Sequence, residues 1–142
     1  MTARRHWIWA WTGAAALGVA NGASREALYA DAAGEEAAHV ISTATLLALL
    51  SGYTWLLQRR WPLTTRREAL SVGAAWAIMT VGFEFGFGHW VGGDSWSELL
   101  ENYDVSAGKV WILVPLGMAA GPELARRLAE SEQPHLHRTR AA

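Results

Sequence analysis

The chain has no cysteine. Disulfides, thiolate metal sites and thiol catalysis are thereby excluded, and the redox compartment stays open. No HxxxH or HExxH spacing occurs, so no helix offers a ready pair of imidazole ligands. There is no nucleophile elbow, and no internal repeat emerges from comparing the two halves. Charge is scarce, at 18% of 142 residues, and long stretches carry almost none. Apolar surface is what the chain has in excess: 51% of residues are hydrophobic and 9 are tryptophan. The mean hydropathy of +0.08 averages greasy segments with charged loops and a polar tail. The net charge of −1 is an average too, because the charges are sorted along the chain.

Four apolar segments fit membrane-spanning helices, at about 7–22, 35–57, 66–89 and 109–125. Trp7, Trp9 and Trp11 open the first, where indole rings favour the headgroup level. Its Gly and Ala residues suit close helix approach in lipid, and Asn21-Gly22 reads as its end or a break. Paired arginines, small residues near Ala20–Ala23 and an apolar run also resemble a secretory leader. Three further apolar segments, and the lack of twin-arginine flanks around Arg4-Arg5, favour a retained span instead. A short interfacial helix is expected near Ser24–Tyr29. The second segment carries His39, Ser42, Thr43 and Thr45 in its first half and stops at Arg59-Arg60-Trp61-Pro62.

Thr65-x-x-Glu68 is a capping box that starts the third segment. Gly82-x-x-x-Gly86 makes one flat face. Glu84 falls about 200° round from each glycine, on the side of Trp76, Thr80 and Gly88. Ser95-x-x-Glu98 is a second capping box. Trp96, Leu99, Leu100 and Tyr103 follow at helical spacing, the pattern of a short amphipathic helix on a membrane surface. The fourth segment should run from Lys109, which can snorkel, and be kinked at Pro115. Its uncharged run is shorter than the ~20 residues a span usually needs. Residues 129–142 read as a polar, disordered tail; its His135 and His137 carry no metal assignment.

Ten of the 12 basic residues fall on one side of such a bundle: Arg4, Arg5, Arg59, Arg60, Arg66, Arg67, Arg126, Arg127, Arg138 and Arg140. The other side has only Arg25 and Lys109, against Glu26, Asp31, Glu35, Glu36, Asp94, Glu98, Glu101 and Asp104. The positive-inside rule then puts both termini in the cytoplasm. A soluble bundle would show charged helix faces, which these segments lack. Arg59–Trp61 matches anionic inner-leaflet headgroups better than nucleic acid.

The expected site is a polar cluster in the outer half. A carboxylate in an apolar span, Glu84, is costly unless paired, protonated or wet. It reads either as a proton, cation or ligand site or as a packing partner of Arg25 or His39. Arg25 offers a planar fork for a phosphate or carboxylate, or an ion pair with Glu26, Asp31 or Glu84. His39 and His89 are expected at similar depth near Glu84; no metal or cofactor is assigned to them. His39 with Ser42 or Thr43 suggests nucleophile and base on one helix face, but without an oxyanion donor no catalytic residue is assigned. Phe83, Phe85, Phe87 and Trp90 suit ordinary packing more than a ligand box.

The motifs NGASRE, AAH-x-x-S, FEFGFGHWVGGDSWSELLENYDV and the following GKVW resemble a small bacterial four-span membrane protein family. The resemblance spans most of the chain apart from the tail. It implies a four-helix bundle in the bacterial inner membrane and draws attention to Asn21, Arg25, Glu26, His39, Glu84 and His89. The family has no established activity, so no substrate comes with it. The expectation is an all-α membrane protein, more a binding protein than an enzyme, taking a small ligand, lipid headgroup or proton, with transport as one form of that role. An accessory subunit of a larger complex or homo-oligomer, and a lipid-active enzyme, are the alternatives.

Overall fold

The capping box at Thr65 forms. The Glu68 amide donates to Thr65 Oγ1 at 3.2 Å, and the Thr65 amide donates to the Glu68 carboxylate at 3.4 Å. It starts one of the four long helices of a computed structural model that describes the backbone of residues 1–139 and the side chains of residues 1–132. The α-helices are α1 (Ala3–Leu28), α2 (Ala30–Ala33), α3 (Glu35–Arg60), α4 (Arg66–Phe87), α5 (Trp96–Glu101) and α6 (Leu113–Thr139). A π-helical turn at Gly88–Gly92 prolongs α4, and a 3-10 turn occupies Val105–Ala107. No strand occurs among the described residues.

Several boundaries differ from expectation. Asn21-Gly22 does not break α1, which runs on to Leu28. The Asn21 amide is spent on Ser42 rather than on its own backbone, and one glycine costs a helix only about 1 kcal/mol. The expected interfacial helix near Ser24 is therefore the last turn of α1, with Ser24 bonded back to Ala20 O. The fourth long helix starts at Leu113, not Lys109. Pro115 then falls in its first turn, where an amide has no helical partner to lose, so no kink is required there. The polar tail is helical as far as Thr139. Pairs of Arg126 with Glu123 and Glu130, and of Arg127 with Glu123, at i,i+3 and i,i+4 support that extension. The histidines at 135 and 137 have side chains outside the described residues.

The long helices alternate in direction along the chain and close a ring in the order α1, α3, α6, α4, in which α3 runs parallel to α6 and α1 to α4. α1, α3 and α4 begin or end together at a basic end, where His6 stacks on Trp61 at 4.6 Å and Trp7 Nε1 donates to Trp61 O at 2.9 Å. Trp76 Nε1 in turn donates to Trp7 O at 2.8 Å. Trp7 and Trp76 are wholly buried, so Trp7 is a core residue and not an interface anchor; Trp9 alone of the first three indoles is exposed. Leu46, Val72, Val114 and Met118 complete the core around them. α4 meets α6 at Gly73, where an added Cβ would lie 2.0 Å from Ala119 O. The flat Gly82/Gly86 face is only partly covered: an added Cβ at Gly82 would meet nothing within 4 Å, and one at Gly86 would meet the Trp90 ring at 3.4 Å.

Two helices are long and apolar enough to cross a membrane, Glu35–Arg60 and Arg66–Gly92. Only 33% and 22% of their most apolar windows are buried, unlike the core helix of a soluble protein, which is mostly buried. Their outward faces carry Val40, Ile41, Leu49, Leu56, Leu70 and Ile78.

Candidate ligand cleft

At the end opposite Trp7 the ring opens. α1 and α4 touch at Trp7–Trp76 and at Trp11, whose Nε1 donates to Thr80 at 3.0 Å. Beyond that point small residues on α1 leave room. Ala14, Ala15, Gly18 and Gly22 line a cleft of about 1010 Å³ walled by all four long helices and the loop that follows α5. Gly18 and Gly22 have no neighbour within 4 Å. The stripe expected to draw helices together thus makes space instead.

Glu84, near the end of α4, is on the wall of this cleft. One of its oxygens, Oε2, accepts from the Tyr103 hydroxyl and, at 2.9 Å, from Trp111 Nε1. Neither donor is the Arg25 or His39 expected to partner it. Both bonds reach across from the α5–α6 connection, so one carboxylate oxygen fastens that connection to α4. Burial, and then the bond to Glu84, push the Tyr103 phenol above its ordinary range.

His39 stands in the first turns of α3. Its ring packs 5.6 Å from the Trp111 ring. Arg25 Nη1 is 3.2 Å from His39 Nδ1. A guanidinium only donates, so Nδ1 accepts, and the neutral ring carries its hydrogen on Nε2. Nε2 is buried and has no partner. A buried donor left so costs roughly 1–3 kcal/mol. The remaining Arg25 donors, Nε and Nη2, both go to Glu26 Oε1, at 2.9 and 2.7 Å. Asn21 pins α1 to α3 behind the cluster, donating to Ser42 O at 2.9 Å and Ser42 Oγ at 2.7 Å.

Five of the six expected site residues therefore line one cleft: Asn21, Arg25, Glu26, His39 and Glu84. His89 does not. It stacks on Trp96 at 3.9 Å and bonds Asp94 O through Nδ1 at 2.8 Å, in an aromatic cluster with Trp90 at the turn after α4. Among the described residues no three metal-binding side chains converge. His39 and Glu84 share the cleft without bonding one another. The Ser42 and Thr43 hydroxyls bond Asn21 and His39 O rather than an imidazole. Tyr103, Lys109 and Trp111 also line the cleft and were not expected as site residues. The available signal was that a half-buried Tyr or Trp needs a partner for its polar tip, but Glu84 is 19 and 27 residues away from the two donors.

Comparison with protein-family models, with curated proteins and with solved structures finds no match for this chain. The cleft's own chemistry is thus the guide to function.

Proposed function

We propose that the chain is a four-span protein of the bacterial inner membrane, with both termini cytoplasmic, and that its outward cleft binds a small ligand. Two helices have the length and hydropathy of spans. α1 and α6 run beside them in the same ring and also expose Trp9, Leu116 and Leu124. The charge asymmetry supports the orientation: the end with Arg4, Arg5, Arg59, Arg60, Arg66 and Arg67 faces inward by the positive-inside rule.

One observation carries the binding reading. A roomy cleft at the acidic end brings together an arginine, an oriented carboxylate and a histidine whose buried Nε2–H lacks an acceptor. Convergent polar groups in a largely apolar pocket are the usual make-up of a small-molecule site. Among the described residues, the hydroxyls of Ser42 and Thr43 bond Asn21 and a backbone carbonyl and leave His39 without a nucleophile, which weighs for binding over hydrolysis. Extraction in mild detergent, followed by mass spectrometry of retained small molecules, tests this. A stoichiometric molecule is expected in the wild type and depleted in Arg25→Ala and Glu84→Gln. Equal retention in all three, or none in any, counts against it.

A second reading, a subunit of a larger membrane assembly or homo-oligomer, has support from the uncovered α4 end. Gly82 faces open space, and Trp90 beyond it is 76% exposed. A protein co-purifying in fixed ratio, lost on Gly82→Leu, would favour it.

A further inference from the structure

Arg25 and Lys109 are the two basic residues of an end that otherwise carries acids, and both line the same cleft. Sequence separates them by most of the chain; the ring of helices brings them to one mouth. Among the described residues Lys109 has no ion pair. Arg25 is held by Glu26, whose side chain is 67% exposed and free to swing into solvent. His39 lines the same cleft beside Arg25, with a buried Nε2–H that no protein atom accepts. Two positive groups and a neutral donor match a tetrahedral oxyanion. A carboxylate would be served by the Arg fork alone. Deeper, the lining turns apolar: Ala14, Leu46, Val114 and Met118 lead from the mouth into the bundle.

Taking the ligand-cleft reading as its basis, we propose that the occupant is a phosphate-bearing amphiphile. Its phosphate sits among Arg25, Lys109 and His39, displacing Glu26 from the guanidinium. Its chain lies along the apolar lining. A phosphate at this end is at the level where lipid headgroups reside, so a membrane lipid can enter from the side without leaving the bilayer. Glu84, bonded to Trp111, keeps its Oε1 for a hydroxyl or amine of the headgroup, since both of its present bonds use Oε2.

The test is native mass spectrometry of the full chain in neutral detergent, titrated separately with phosphatidic acid, diacylglycerol and inorganic phosphate. One phosphatidic acid per chain is expected, with diacylglycerol about tenfold weaker or worse for the lost charge-assisted contacts, and inorganic phosphate about tenfold weaker or worse for the lost burial of the chains. Arg25→Gln and Lys109→Gln should each weaken phosphatidic acid by a similar factor. Lys109 is exposed on a turn, so its variant reports on binding even where Arg25→Gln disturbs folding. Diacylglycerol as tight as phosphatidic acid, or no effect of Lys109→Gln, overturns the phosphate subsite while leaving a lipid cleft. Inorganic phosphate as tight as phosphatidic acid overturns the amphiphile. No adduct with any of the three overturns the inference as a whole, and the retained-molecule experiment above then judges the cleft itself.

Discussion

Tyr103 donates its phenol hydrogen to Glu84, and so ties the end of the α5 segment to the end of α4. Trp111 reinforces the tie at the same oxygen. Tyr103→Phe removes one donor and keeps the ring stacked on Phe85. A loss of about 1–3 kcal/mol is expected, the range for a buried acceptor losing a partner. Thermal unfolding in detergent should show it. Limited proteolysis should show faster cleavage between Tyr103 and Gly108, beyond the part of the connection that Trp96 anchors by stacking on Phe85 and His89. An unchanged midpoint and digestion pattern would mean the bond does not hold the loop.

The same bond predicts an alkaline weakness. Burial and the Glu84 contact raise the Tyr103 pKa above its ordinary 10.0. The folded state therefore holds this proton more tightly than the unfolded state. Its contribution to stability is complete below pH 10 and declines as pH rises above it. Denaturant midpoints between pH 8 and 11.5 should fall at the alkaline end for the wild type and fall less for Tyr103→Phe. Parallel curves would contradict the assignment.

Gly73 and Gly82 lie on one helix and should respond oppositely. A methyl at Gly73 meets the Ala119 carbonyl, a backbone atom that cannot turn aside. Gly73→Ala should separate α4 from α6 and cost about 1–3 kcal/mol, as overpacking does. Gly82→Ala meets nothing and should be neutral or slightly stabilising, since alanine favours helix by about 1 kcal/mol over glycine. Thermal melts of the two variants decide the matter.

The helical class, the two capping boxes and the gathering of Arg25, His39 and Glu84 at one end were legible in residue spacing and charge. These rest on local hydrogen bonding and hydropathy, which sequence expresses directly. The partners of Glu84 were not legible. They depend on which helices are neighbours, and the ring order α1, α3, α6, α4 follows from side-chain fit at Gly73, Gly117 and Gly121. The small residues of α1 show the same limit. Ala14, Gly18 and Gly22 read equally as a contact surface or as a void, and only the position of α4 makes them a void. Asn21 does line the cleft, but the break expected at Asn21-Gly22 does not occur, because the Asn21 amide is taken by Ser42 on another helix.

The measurement that bears most directly on the proposed membrane bundle with an outward-opening cleft uses the absence of native cysteine. Single substitutions Gly18→Cys, Ile78→Cys and Thr64→Cys would be labelled in intact cells with a membrane-impermeant thiol reagent. Gly18 is mid-helix but lines the cleft; Ile78 is 73% exposed on the outer face of α4; Thr64 is in the turn at the basic end. The account requires labelling at Gly18→Cys, none at Ile78→Cys, and labelling at Thr64→Cys only after permeabilisation. Labelling at Ile78→Cys, or a Gly18→Cys that stays unreactive while Thr64→Cys reacts from outside, would contradict it.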